Sequence, residues 1–228
     1  MVKMFAFLPK RPDISVEKFH AHWRDPHGEI SKRITTIRRY VQAHRLAEPP
    51  PGLPQSIYDG VAEAWFDDVQ TGLSMGEDPN YIEGAGADEP NFIDLPNLTF
   101  LFTREHVITA GPKVSVDTQG VKLLHLINRA EGVDKASFAE GYSAIAHEQA
   151  AEIGARRDVL CLADPDVYSD EDAVFDAVHE LSFESADAFL ASRDRATDSW
   201  AVLAHDELID GPGLGLLAEE YRVIWPEA

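Results

Sequence analysis

The stretch Val2-Lys3-Met4-Phe5, followed by Phe19 and Trp23, returns 119 residues later as Val121-Lys122-Leu123-Leu124, followed by Phe138 and Tyr142. Two further blocks return in the same order. Tyr58-Asp59-Gly60-Val61-Ala62-Glu63, with Phe66 and Leu73, reappears 117 residues on as Phe175-Asp176-Ala177-Val178-His179-Glu180, with Phe183 and Leu190. Ile93-Asp94, Pro96 and Leu98, with Leu101 and Val107-Ile108, reappear 116 residues on as Ile209-Asp210, Pro212 and Leu214, with Leu217 and Val223-Ile224. Three blocks at nearly one offset read as a tandem duplication. Copy one is residues 1–112 and copy two 113–228, with the turn-forming pair Gly111-Pro112 at the boundary. Each copy has the size of one small domain.

Within copy one, Val2–Leu8 is an apolar strand, and Arg11-Pro12-Asp13 leads into a helix starting at Ser15. Phe19, Trp23, Ile30, Ile34 and Ile37 recur along it at helical spacing. Pro26 interrupts or restarts that helix, because its ring removes a backbone donor and crowds the preceding turn. A strand at Tyr40–His44, a proline-rich loop, a strand at Tyr58–Phe66 and a helix from Asp67-Asp68 to about Met75 follow. A long acidic loop from Gly76 to Pro90 precedes a last strand at Leu98–Thr103, which can extend to Ile108. The expected fold class is therefore α+β: two tandem ferredoxin-like βαββαβ units, each an antiparallel sheet with both helices on one face. The other face of each sheet is apolar and needs a cover. The second copy supplies it, closing an intrachain dimeric α+β barrel, and a homodimer of the whole chain stays possible.

Forty acidic and 20 basic residues among 228 give a net charge of −20, so nucleic acids and anionic membrane faces would be repelled. No apolar run approaches the roughly 18 residues of a membrane span, and the N-terminus reads as a strand rather than a signal peptide, so a cytoplasmic protein is expected. Residues 1–45 run against the trend, with ten Lys/Arg and four Asp/Glu. That stretch is either a solvated basic helix face or one wall of a site for an acidic ligand. Most of the negative charge lies in copy two. The single cysteine, Cys161, excludes an intrachain disulfide and a multi-thiolate metal site, and its apolar neighbours mark it as a buried small hydrophobe. Phosphate loops, nucleophile elbows, HExxH and CxxC motifs are all missing.

Phe19-x-x-x-Trp23-x-x-x-His27 after Arg11-Pro12-x-Ile14-Ser15, Tyr40-Val41-Gln42-x-His44, and Tyr58-Asp59-Gly60-Val61-Ala62-Glu63-x-Trp65-Phe66 together resemble the EthD-type family of the dimeric α+β barrel superfamily. The likeness covers nearly all of copy one. Copy two departs from it: Tyr142 replaces Trp23, and the histidine comes one residue late, at His147. The resemblance implies a small aromatic or polyketide-like ligand held between helices and sheet, and work of the dehydration or decarboxylation type without metal or organic cofactor.

The residues agree on where that pocket would be. Phe19, Trp23 and His27, at i, i+4 and i+8, share the helix face turned to the sheet. His27 is the candidate acid/base, with a helix-terminus cap as the plain alternative. His44, grouped with Tyr40 and Gln42 on one strand face, would assist it or sit at an exposed edge. Glu63 persists as Glu180 in copy two, which fits a shared structural ion pair as well as a proton donor. Trp23, Tyr40, Tyr58, Trp65 and Phe19 are the candidate substrate walls. His20 and His22 point too far apart to share a metal with His27, and spacing gives no support to a metal on His27, His44 and Glu63. His125 and His179 stand where copy one has Ala6 and Ala62, so either the two pockets are unequal or these histidines are satisfied core residues. The expected function is a cofactor-free lyase or isomerase on a small hydrophobic or aromatic substrate. The alternatives are a monooxygenase of the same superfamily or a non-catalytic ligand-binding protein.

Overall fold

In the computed structural model, which describes residues 1–169 and 171–226, eight strands close one barrel in the order β1-β3-β2-β8-β5-β7-β6-β4. The strands are β1 (Val2–Leu8), β2 (Arg39–Arg45), β3 (Gly60–Phe66), β4 (Thr99–Thr109), β5 (Val121–Ile127), β6 (Arg157–Ala163), β7 (Ala177–Phe183) and β8 (Leu214–Ile224). Two ferredoxin-like βαββαβ units contribute four strands each. They join along β2–β8 and β4–β6, so neither sheet keeps a free edge.

Strand alternation decides the layers. Phe5, Phe7, Ala43, Val61 and Leu101 of the first unit meet Leu124, Leu126, Val159, Val178 and Leu216 of the second in one core inside the barrel. The apolar face of each sheet is thus covered by the other, which is why one chain suffices. Residues of opposite parity point outward to the helices: Met4, Ala64 and Phe66 in one unit, Leu123, Leu181 and Phe183 in the other.

In the first unit, α1 (Val16–His22) is opened by Ser15, whose side chain accepts from the Lys18 amide. Pro26 does not end the helical path. Trp23–His27 widens into a π-turn around it, and α2 (Gly28–Ser31) resumes beyond. After α3 (Val69–Leu73), the segment expected to be an acidic loop is largely helical: a 3₁₀ turn at Ser74–Glu77, a π-turn at Tyr81–Ala85, α4 (Gly86–Asp88) and a 3₁₀ turn at Glu89–Asn91. Its few apolar residues, Tyr81 and Ala85, pack on the sheet and fix it there. In the second unit α5 (Lys135–Ile153) is continuous, and α6 (Ala186–Arg195) and α7 (Thr197–His205) follow β7.

The third sequence block needs a correction of one residue. Lys3 pairs with Thr103 and Lys122 with Ala218, so β4 and β8 correspond at an offset of 115, not 116. A one-residue slip exchanges faces. Leu101 therefore corresponds to Leu216 inside the barrel, whereas Leu217 faces the helices.

Candidate active site

Glu63 and Trp65, read from the sequence as site residues, lie at the wide end of the barrel interior and not between helices and sheet. The Glu63 carboxylate is fully buried between Lys122, with Nζ 2.9 Å from both oxygens, and Lys3 at 2.8 Å. Glu180 bridges the same two lysines at 2.7 and 3.1 Å. Each lysine thus binds a carboxylate from both units. Burial alone would lower the Lys3 ammonium, but Glu180 and Glu63 hold it above its ordinary value. Burial and the Glu180 charge push Glu63 up to about 7, while Lys122 and Lys3 overcome burial to keep Glu180 low. Glu63 is part of a seam between the units, paired with one lysine from each. Trp65 donates from Nε1 to Glu105 at 2.9 Å beside it. Tyr58 is deeper in the barrel, packed on Phe7 and Phe175.

His44 is also placed apart from the expected pocket. Its Nε2–H donates to Gln42 Oε1 at 3.1 Å, because Gln42 Nε2 is already donating to the Trp23 carbonyl at 2.8 Å. The remaining Nδ1 accepts from His20 Nδ1 at 2.8 Å, and the ring lies on Trp23 with centroids 4.3 Å apart. Both nitrogens are committed. Burial, then His20 and Arg24, push the imidazole down to about 2. His44 is a neutral packing element that props Trp23.

His27, Trp23 and Tyr40 do come together. They line a crevice of about 60 Å³ between the first sheet and its helices, with Ala6, Ala62 and Ala64 as its floor. Trp23 is completely buried and donates from Nε1 to Tyr40 Oη at 3.1 Å; Phe19 lies behind it in the core, at 5.6 Å between ring centroids. The cover of the crevice is the helical segment after α3, from which Met75, Tyr81, Ala85 and Glu89 face inward.

That cover supplies the two groups that sequence reasoning missed. Asp88 lies 3.0 Å from His27 Nδ1 and 3.0 Å from His22 Nε2. Those two histidines and Asn91 hold its carboxyl below the usual range although burial opposes them. An ionised carboxylate only accepts, so His27 carries its proton on Nδ1 and keeps Nε2 as the basic nitrogen. Burial lowers the His27 pKa, against the opposing pull of Asp88, so the ring is neutral near pH 7. Glu89 is mostly buried, accepts from Tyr81 Oη at 3.0 Å, and is pushed up to about 7 by that burial, with the neighbouring Asp88 charge adding to it. A neutral base and a carboxyl able to hold its proton therefore border one crevice.

The second unit lacks this arrangement. His125 and His179 pair across β5 and β7 as Ala6 and Ala62 pair across β1 and β3. Their rings occupy what is open floor in the first unit. His125 Nε2 donates to the Pro212 carbonyl at 2.8 Å and His179 Nε2 meets Asp158 at 2.7 Å. His147 is exposed on α5, its Nδ1 turned to the Ser143 carbonyl.

Residues 11–96 match the EthD domain. The dehydratase aurZ of Gibberella zeae is 28% identical over 102 residues, which is 40% of this chain and 67% of that protein. Among solved structures, an anthrone oxidase-like protein superposes with a TM-score of 0.66 at 6% identity, over 100% of this chain and 94% of the other. A mutant chlorite dismutase from Candidatus Nitrospira defluvii gives 0.53 at 10% identity, over 97% and 92%. At such identities the structural likeness establishes the fold, a ferredoxin-like dimeric α+β barrel, and nothing about chemistry. No helix among the described residues is long and apolar enough to cross a membrane.

Proposed function

We propose that this protein, whose first unit is an EthD domain, is a dehydratase-type lyase acting on a small aromatic or polyketide-derived compound in the first-unit crevice. The observation that carries the reading is the His27–Asp88 pair beside Glu89. It supplies a base and an acid whose environments set them in the protonation states an elimination needs. The 28% identity to a dehydratase over 102 residues, 40% of this chain, supports it.

His27 Nε2 removes the proton from the carbon next to a carbonyl, and the electron pair moves into the forming double bond. Glu89 gives its proton to the departing hydroxyl, which leaves as water. The proton gained by His27 then returns through solvent to the Glu89 carboxylate, restoring both. His27 and Glu89 account for every proton moved, so no cofactor enters the scheme. Tyr40, Trp23 and the alanine floor form the apolar wall. At about 60 Å³ the crevice is far smaller than the roughly 300 Å³ at which small-molecule sites begin, so a ring-bearing substrate enters by displacing the Ser74–Asn91 cover. The duplication, with the second unit as a structural partner, belongs to the same reading.

The test is loss of one water from a panel of aromatic β-hydroxy ketones, followed by mass spectrometry across pH. The active form has His27 neutral and Glu89 protonated. The rate should rise through a His27 pKa below 6.5 and fall through about 7 as Glu89 ionises. Glu89→Gln should slow turnover and remove the alkaline limb. Oxygen uptake with the same panel, or an alkaline limb that survives Glu89→Gln, would overturn the assignment.

A further inference from the structure

The larger cavity, about 370 Å³, is the wide mouth of the barrel at the seam, within the size range of small-molecule sites. The chain joining the units folds over it: Val114 accepts from Trp225 Nε1 at 3.1 Å and Thr118 accepts from Arg222 at 2.8 Å. Its deep layer is nearly balanced, with Lys3, Lys122 and Arg222 facing Glu63, Glu105, Glu180 and Glu220. The rim is not balanced. Arg39, Lys113, Arg156 and Arg157 line it, and none has a carboxylate partner among the described residues. Four cations at one mouth, unpaired among the described residues, run against the charge of a molecule that carries −20.

A second feature points the same way. The Arg222 side chain is 7% exposed, and its Nε is buried with no hydrogen-bond partner among the described residues. An orphaned guanidinium N–H is costly unless something accepts from it.

The geometry points to a binding site for a small oxyanion-bearing molecule, a phosphate or carboxylate compound, held at the barrel mouth between the rim arginines and Arg222. Guanidinium groups match both oxyanions with paired N–H donors, and a concave site with unopposed cations concentrates such ligands. The site is separate from the crevice: none of its lining residues lines the crevice.

The test titrates the full chain with pyrophosphate and, separately, citrate at low ionic strength, following heat and the four indole N–H signals by NMR. Saturable binding of at least one anion is expected, with Trp65 and Trp225 shifting and Trp23 and Trp200 still. The Arg39→Gln/Arg156→Gln double variant should weaken it at least tenfold, and His27→Ala should leave it unchanged. Preference for one anion assigns the ligand as a phosphate or a carboxylate. Absence of saturable binding to both, shifts confined to Trp23 or Trp200, or equal affinity in the double variant would overturn the proposal.

Discussion

The two helix-and-sheet layers of this molecule start from the same strand pattern and end with different interiors. In the first unit, Ala6 and Ala62 leave room under a wide π-turned helix and Trp23 fills the wall. In the second, His125 and His179 fill the floor under an uninterrupted α5. The exchanges are coordinated. A Cβ on Gly60 would lie 2.3 Å from the Trp23 ring, whereas the second unit combines Ala177 with the smaller Tyr142. His179 is held by Asp158, which pairs with Leu181, and the register puts Tyr40 at the corresponding place, opposite Ala64. Space for a ligand is thus a property of several residues that differ together: the His27–Asp88 pair of the first unit borders an open crevice, whereas the His179–Asp158 pair of the second fills the floor itself.

Removing that space is the strongest way to collapse the difference. Ala62→His places an imidazole on the crevice floor without the aspartate that holds His179, and turnover should drop at least a hundredfold while circular dichroism stays that of the wild type. Next in size is Gly60→Ala, which overpacks Trp23 and should cost about 1–3 kcal/mol in urea unfolding. Adding Trp23→Tyr imports the second unit's pairing. It should recover part of the loss, which a double-mutant cycle reads as coupling.

The smallest effect concerns pH. His44 takes its ordinary value of 6.5 when unfolded and about 2 when folded. Its contribution is complete above pH 6.5 and is lost as pH falls below that value, because the unfolded chain binds the proton first. Each such histidine steepens the decline by about 1.4 kcal/mol per pH unit. His44→Leu should flatten the stability profile between pH 6 and 4.5 by about that slope, measured by denaturant unfolding at stepped pH.

The fold was readable because core alternation survives duplication: Lys3 and Lys122, Glu63 and Glu180, Ala6 and His125 all fall at corresponding places on paired strands. The slip at β4 and β8 was not readable, since Leu216 and Leu217 are adjacent leucines that satisfy either alignment. Alternation also separates the two faces of a strand without saying which face looks into the barrel. The strand pattern therefore groups Glu63, Tyr58 and Trp65 with His27, although the sheet stands between them. His44 shares the helix-side face with Tyr40, but its position is fixed by Gln42 and His20, contacts that a strand pattern does not encode. Asp88 and Glu89 come from short mixed turns without a period, and their place above the crevice depends on how Tyr81 and Ala85 pack on a distant sheet.

The most direct test of the account compares the two histidines that alignment brought nearest to one another. With any aromatic β-hydroxy ketone that the wild type dehydrates, kcat/KM should fall at least a hundredfold in His27→Ala and stay at the wild-type value in His147→Ala. Full activity in His27→Ala, or an equal loss in His147→Ala, would contradict the claim that the working site is the first-unit crevice.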